Sequence, residues 1–278
     1  MSKSVEPLIL SLETATRAGS IALARGHQLI AARAGDAKVS HSTNLLSDVD
    51  ALLRETGCGL REVGLFAAAC GPGSFTGLRI GLATVKSLAA TLERRCAGVP
   101  TLEAVAYAAG PSRGTVAMIP AGRGEVFAQV FRIEPEGVVQ MLGPPVHQPP
   151  RRLIESVRHL RRLRWAGEGA WLHASEIEAA ASDNALEFRT RSDLERGQAA
   201  AGACGLSEAA TGIALEDLQD VWTLSSPKEL MAATVAVLAA HGYTREETLS
   251  PDELRAIYVR PSDAELHEHA QNILRDAG

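Results

Sequence analysis

Positive charge is not in excess in this sequence: 28 Lys and Arg stand against 33 Asp and Glu, a net charge of −5 over 278 residues. A chain-wide basic surface is excluded, so any contact with nucleic acid has to come from a local patch. Cysteine is scarce and unpatterned. Cys58, Cys70, Cys96 and Cys204 form no C-x-x-C pair, which argues against a disulfide framework and for reduced thiols, with Cys70 and Cys96 inside apolar runs. No apolar run reaches the roughly 18 residues of a membrane-spanning helix. The start, MSKSVEPLILSLETAT, lacks the longer apolar stretch and small-residue cleavage site of a signal peptide. A soluble, cytoplasmic protein without membrane contact is expected. With 46% hydrophobic and 22% charged residues, the composition is that of an ordinary globular chain, long enough for one large domain or two lobes.

What is present is a regular alternation of elements. LILSLETAT (8–16), SIALARG (20–26) and QLIAARA (28–34) are short β-rich runs separated by Ala-Gly and Gly-His turns, and predict three antiparallel strands. Residues 41–56 carry Leu45, Leu46, Val49, Leu52 and Leu53 at helical spacing, with Ser40 or Ser42 as a cap. GLFAAAC (64–70) predicts a buried strand, 74–93 a helix with an apolar stripe of Leu78, Leu82, Val85, Ala89 and Leu92, and CAGVP (96–100) a further strand. This β-β-β-α-β-α-β order implies a mixed sheet covered by helices. Beyond it are expected a helix over 101–109, strands over 115–121 and 125–133, a helix over 151–163 after the Pro-rich run 143–150, and mostly helix over 194–240. A lobe boundary is placed at 105/106, the second lobe running to 278 with a polar extension and a late helix returning to the first lobe.

The stretch GPGSFTGLRIGLATVKSLAA (71–90) sets glycines four apart at Gly73, Gly77 and Gly81. It is not a P-loop, because Gly77 is followed by Leu78-Arg79 where a Lys-Ser/Thr pair is needed. A dinucleotide fingerprint fails as well: the spacing is GxGxxxG and no acid ends CAGVP. Each helix-interior glycine costs about 1 kcal/mol against alanine, so the strip demands a close approach by another backbone. That backbone can belong to the same chain or to a docked helix, and the sequence leaves both open.

LSLETAT, HSTNLL, GPGSFTGLRIG and the late YVRPSDAE together resemble the TsaB (YeaZ) family, over 8–133 and again at 256–265. The resemblance implies an actin-like, ribonuclease-H-like α/β ATPase fold of two lobes. It implies a non-catalytic scaffold in the bacterial complex that forms N6-threonylcarbamoyladenosine at position 37 of tRNAs reading codons beginning with A. Helices 41–56 and 74–93 would dock a TsaD-like catalytic subunit, with a TsaE-like ATPase recruited, and would form a homodimer when the chain is alone. The implied partner-binding residues are Gly73, Phe75, Thr76, Gly77, Arg79, Ile80, Gly81 and Thr84, with Leu45, Leu46 and Val49 from the first helix. On this reading the glycine strip faces a helix of another chain.

The alternative is a stand-alone small-molecule kinase of the same fold, which needs a phosphate hairpin of the form Asp-x-Gly-Thr. The corresponding Glu13-Thr14-Ala15-Thr16 lacks that glycine, leaving Glu13 and Thr14 as a vestigial hairpin, and the nearest adenosine-motif candidate is AGEGA (166–170). No cofactor is expected. No metal is expected either: the catalytic relative's HxxxH motif is reduced to His41 with Leu45 in the second place, which makes His41 a cap or surface residue, and His267-Glu268-His269 reads as incidental. Ser74 has no base tied to it, so nucleophilic hydrolysis is not supported. The arginine run 151–164, six Arg against Glu155, reads as a solvated helix face, or as a tRNA-backbone contact alongside an indirect role in tRNA binding. With Trp165 as its one nearby aromatic, base recognition is not expected. Arg123-Gly124-Glu125 matches a family hairpin and is read as a hairpin ion pair.

Overall fold

Short β-rich runs with tight turns between them become antiparallel strands β1 (Leu8–Glu13), β2 (Ser20–Arg25) and β3 (Gln28–Ala34) in the computed structural model. It describes residues 6–35, 41–190 and 220–259, with the backbone alone for 41–43. Gly26, at a φ of 54°, makes the tight turn into β3. Strands β4 (Val63–Gly71) and β5 (Arg95–Pro100) then add in parallel, giving the order β3-β2-β1-β4-β5. A parallel strand is covered on both faces, which is why β4 reads as an unbroken apolar run and is buried at eight of its nine positions. Helices α1 (His41–Thr56) and α2 (Phe75–Thr91) lay their apolar stripes on this sheet. Leu45, Val49, Leu52 and Leu53 from α1 and Leu82, Val85 and Ala89 from α2 join Leu10, Leu12 and Phe66 in one core, each buried large side chain contributing about 1.5–3 kcal/mol. Cys96 lies within it, and burial pushes its thiol up to about 11.

This is the first of two units. Met1–Thr101 and Val235–Gly278 form one, and Leu102–Thr234 the other. The sequence reading sets a second lobe over 106–278 with a late helix returning to the first; here the chain from Val235 on groups with the first unit.

The second unit starts with α3 (Thr101–Ala108) and a hairpin of β6 (Ser112–Gly122) and β7 (Glu125–Ile133). Strands β8 (Val139–Met141) and β9 (Val146–Gln148) pair with β7, then follow α4 (Pro150–Val157), β10 (Leu163–Ala166), α5 (Glu168–Leu172), α6 (Ala174–Asp183), β11 (Glu187–Thr190) and β12 (Val221–Leu224). The main sheet runs β11-β12-β10-β6-β7-β8, with β10, β11 and β12 parallel to one another and β10 parallel to β6. Its core centres on Trp165 and Trp222, ring centroids 5.3 Å apart. The mixed sheets flanked by helices are the actin-like, ribonuclease-H-like architecture that the resemblance implies.

Two expectations are corrected here. The helix over 151–163 ends at Val157, and Leu163 opens β10, so the arginine run divides between a helix, a turn and a strand. Arg164 is nearly buried, and its Nη1 donates to the carbonyls of Ala109, Gly110 and Pro111 at 2.9, 3.1 and 2.8 Å. It closes the C-terminal end of α3, where a cation is favoured. Of the mostly helical reading of 194–240, residues 194–219 lie outside the described residues; in the remainder helix α7 (Met231–Thr244) agrees, and the departure is the buried strand β12.

Within the first unit, α7 meets the β2–β3 turn through His241 and His27, ring centroids 4.5 Å apart. Burial, His27 and Arg245 hold the His241 pKa below the ordinary imidazole value. The folded state therefore resists protonation there. Stability from this group is complete above the unfolded value near 6.5 and declines as pH falls below it. Urea unfolding between about pH 7.5 and about pH 5.5 should show that decline, and His27→Gln, which removes one cause of the shift, should flatten it. An equally steep decline in His27→Gln sinks the assignment.

Candidate functional site

The β1–β2 turn, Thr14–Gly19, meets the start of α2. The side chain of buried Glu13 folds back onto the turn, its carboxylate accepting from the Thr16 N–H at 2.8 Å and from the Thr16 hydroxyl at 2.6 Å. Thr14 Oγ1 donates to the Gly77 carbonyl at 2.8 Å, and the Ser74 N–H donates to the Ala15 carbonyl at 2.8 Å. Ser74 caps α2, its Oγ accepting from the Gly77 N–H at 3.2 Å.

These contacts settle what the glycines face. A Cβ on Gly73 would stand 2.6 Å from the Ala15 carbonyl oxygen, one on Gly77 1.9 Å from the Thr14 carbonyl oxygen, and one on Gly81 2.2 Å from Thr14 Oγ1. The seam is filled by this chain's own turn, and Gly77 and Gly81 are buried in it. The expectation that the strip faces a helix of another chain is corrected: the close backbone approach is intramolecular. Leu45 and Val49, also placed in a docking set, are 8% and 4% exposed and belong to the core.

The same geometry tests the turn for a nucleotide phosphate. Such a group needs backbone N–H donors and an unopposed positive field. Here the Thr16 and Ser74 amides are engaged, and a buried carboxylate sits inside the turn. The residues do not fit the group. In the second unit, Gly167 and Gly169 of AGEGA serve packing: a Cβ on either would meet the backbone of Met118, at 2.4 and 2.9 Å.

The remaining predicted residues lie on the outer side of the same two helices. Leu46 is 63% exposed and Phe75 38%. Thr76 and Arg79 are exposed, with Ile80 and Thr84 half-buried. The Arg79 guanidinium stands 3.7 Å above the Phe75 ring, and the ring of Tyr258 lies 5.8 Å from Phe75.

Tyr258 is a residue that the helix-based reading missed. It is brought there by residues 248–258, which run back across the first unit. Leu249 exchanges backbone hydrogen bonds with Cys96 at 2.8 Å, the Lys86 ammonium donates to the Leu254 carbonyl at 3.3 Å, and the Ile257 N–H donates to the Cys70 carbonyl at 2.7 Å. Leu254 is buried over Gly98. The signal available in the sequence was the YVRPSDAE segment, whose place in space no local pattern reveals.

For the other candidates, no group of three or more His, Cys, Asp or Glu able to hold a metal occurs among the described residues; the His41 side chain, Cys204, His267 and His269 lie outside them. Glu125 stands 2.9 Å from His147 Nε2 across β7 and β9, while Arg123, at a φ of 52°, occupies the β6–β7 turn. Trp165 is fully buried, so it offers no stacking face.

The family described as "TsaD: tRNA N6-adenosine threonylcarbamoyltransferase" matches residues 35–265. A Bacillus subtilis protein named tRNA threonylcarbamoyladenosine biosynthesis protein TsaB is 28% identical over 172 residues, 61% of this chain and 75% of that one. The Escherichia coli protein of the same name is 33% identical over 138 residues, 47% of this chain and 57% of its own length. The solved structure of YeaZ from Pseudomonas aeruginosa superposes with a TM-score of 0.64 at 22% identity, covering 91% of this chain and 99% of that one.

Gly77→Ala should be destabilising although alanine favours helices by about 1 kcal/mol. The added methyl meets backbone, and overpacking of this kind costs about 1–3 kcal/mol. Denaturant unfolding of Gly77→Ala beside Gly143→Ala, where the space is open, measures it. Wild-type stability in Gly77→Ala rules out the packed seam.

Proposed function

Because this chain belongs to the tRNA N6-adenosine threonylcarbamoyltransferase (TsaD) family and stands among its TsaB (YeaZ) members, we propose that it acts in threonylcarbamoyladenosine biosynthesis as a docking subunit without its own chemistry. A TsaD-type subunit carries the transfer of the threonylcarbamoyl group to N6 of the tRNA adenosine, and a TsaE-type ATPase joins the assembly. The observation that carries this reading is the pairing of two features on α2. Its inner face is closed against a turn unsuited to phosphate, and its outer face presents Phe75, Arg79 and Tyr258 as one exposed aromatic and cationic cluster.

Such a cluster has the composition of an interface anchor: rigid rings that lose little entropy on docking, and a guanidinium held ready over one of them. Leu46 of α1 adds exposed apolar surface, and Thr76, Ile80 and Thr84 complete the α2 side. When the catalytic subunit is absent, self-association through this same face gives a homodimer. The kinase alternative is disfavoured by the occupied amides and the buried Glu13 carboxylate at the place where such an enzyme holds phosphate.

Phe75→Ala and Arg79→Glu should leave the unfolding transition of the chain unchanged and weaken capture of the TsaD-type subunit at least tenfold each, about 1.4 kcal/mol or more. Titration calorimetry or pull-down reads the affinity, and a tRNA-modification assay with and without this chain reads the consequence. Undiminished capture by both variants removes the docking face, and ATP-dependent turnover of a small acceptor by the isolated chain removes the scaffold role.

A further inference from the structure

Residues 260–278 continue the chain from Val259, directly after Tyr258. They therefore start beside Phe75, whose ring lies 5.8 Å from that of Tyr258, and beside the Arg79 guanidinium 3.7 Å above Phe75. Phe75 and Tyr258 are exposed there, as is Leu46 of α1, a helix that touches α2. Arg79 is exposed too and has no ion-pair partner among the described residues.

The sequence past Val259 has the pattern of something that covers such a face. Ser262 and Glu265 stand at the S-x-x-E spacing of a capping box, which opens a helix by satisfying its first free N–H groups. Leu266, Ala270, Ile273, Leu274 and Ala277 follow at i, i+4, i+7, i+8 and i+11, one apolar stripe along a helix. Asp263, three residues before Leu266, falls on the same side as the stripe, while Glu268 and Arg275 fall on the opposite one. The pattern predicts an amphipathic helix over 263–277. Isolated helices of about 12–15 residues are marginal in water, so this one needs a surface on which to bury its stripe.

Reach, length and charge all match the face of α2. Leu266 is eight residues past Tyr258, and a chain spans about 3.3 Å per residue when extended, so the stripe reaches Phe75 without strain. A helix over 263–277 is about 22 Å long, against about 25 Å for the 17 residues of α2. Residues 260–278 carry four acids, Asp263, Glu265, Glu268 and Asp276, against Arg260 and Arg275. Helix α2 has no acid in its first turn, so its positive end and Arg79 meet an acidic entering turn. Tethering raises the effective concentration to about millimolar, which populates even a weak contact. We propose that residues 260–278 form an amphipathic helix that docks on the outer face of α2, with Leu266, Ile273 and Leu274 turned inward and Asp263 against Arg79. The segment then competes with a protein partner for that face. The competition rests on the docking role proposed above; the contact itself rests on this chain alone.

The test is hydrogen–deuterium exchange of the full chain in isolation, read by mass spectrometry on peptides from residues 260–278. Wild type should exchange there at least tenfold more slowly than a free peptide of the same sequence, equally at low and high protein concentration. Phe75→Ala should speed exchange toward the free-peptide rate, as should Leu266→Ser combined with Ile273→Ser, whereas Gln271→Ser, off the stripe, should match wild type. Arg79→Glu should speed it too, and Asp263→Arg added to Arg79→Glu should slow it again. Free-peptide exchange in wild type overturns the proposal, and so does protection that survives Phe75→Ala. Protection that grows with concentration assigns the face to a second copy and overturns the intramolecular contact. A charge reversal that fails to slow exchange overturns the pairing of Asp263 with Arg79. Capture of the TsaD-type subunit by the Leu266→Ser, Ile273→Ser chain should rise several-fold because the face is freed. Unchanged capture there, where Phe75→Ala lowers it, overturns the competition. The exchange measurement needs no partner, so failure of the tail contact and failure of the docking role are told apart.

Discussion

The seam between the Thr14–Ala15 turn and the glycine face of α2 constrains everything around it. Gly77 and Gly81 together forgo about 2 kcal/mol of helix propensity. Two hydrogen bonds, Thr14 to the Gly77 carbonyl and Ser74 to Ala15, return about 1 kcal/mol each, so the approach is close to neutral before packing is counted. Its effect is geometric. With the turn locked onto the helix, strand β1 and helix α2 are joined, and the Thr16 and Ser74 amides are spent inside the protein.

Closing the inner face determines what the outer face can do. Ser74 caps the helix, and Phe75 and Arg79, exposed one turn apart, stack on each other. Residues 248–258 then add Tyr258 from far along the chain, held in place by backbone hydrogen bonds to Cys96 and Cys70. A surface assembled from a helix end and a strap, both fixed to the same sheet, is pre-ordered. Pre-ordering lowers the entropy lost when a partner arrives, which is the property a scaffold subunit needs.

Local patterns carried the fold of the first hundred residues well. Short β-rich runs, turn dipeptides and the Leu78, Leu82, Val85, Ala89 stripe placed its five strands and two α-helices, because strands β1–β3 pair with their sequence neighbours and each helix lays one apolar stripe on the sheet. The arginine run misled for a physical reason. Leu153, Ile154, Val157, Leu160 and Leu163 keep helical spacing past the true end at Val157, and nothing local shows that Leu163–Ala166 is a strand buried on both faces, with Arg164 made tolerable by three carbonyls 53 to 55 positions away. The glycine strip was legible as a close-approach face, but not as to who approaches. That answer lies in a contact 63 positions distant between Thr14 and Gly77.

The proposed docking face grows from the C-terminal end of β4, where the turn into α2 leaves side chains projecting at a helix start. A protein-facing surface needs rigid apolar area, and Phe75 with Tyr258 supplies exposed aromatic area of that kind.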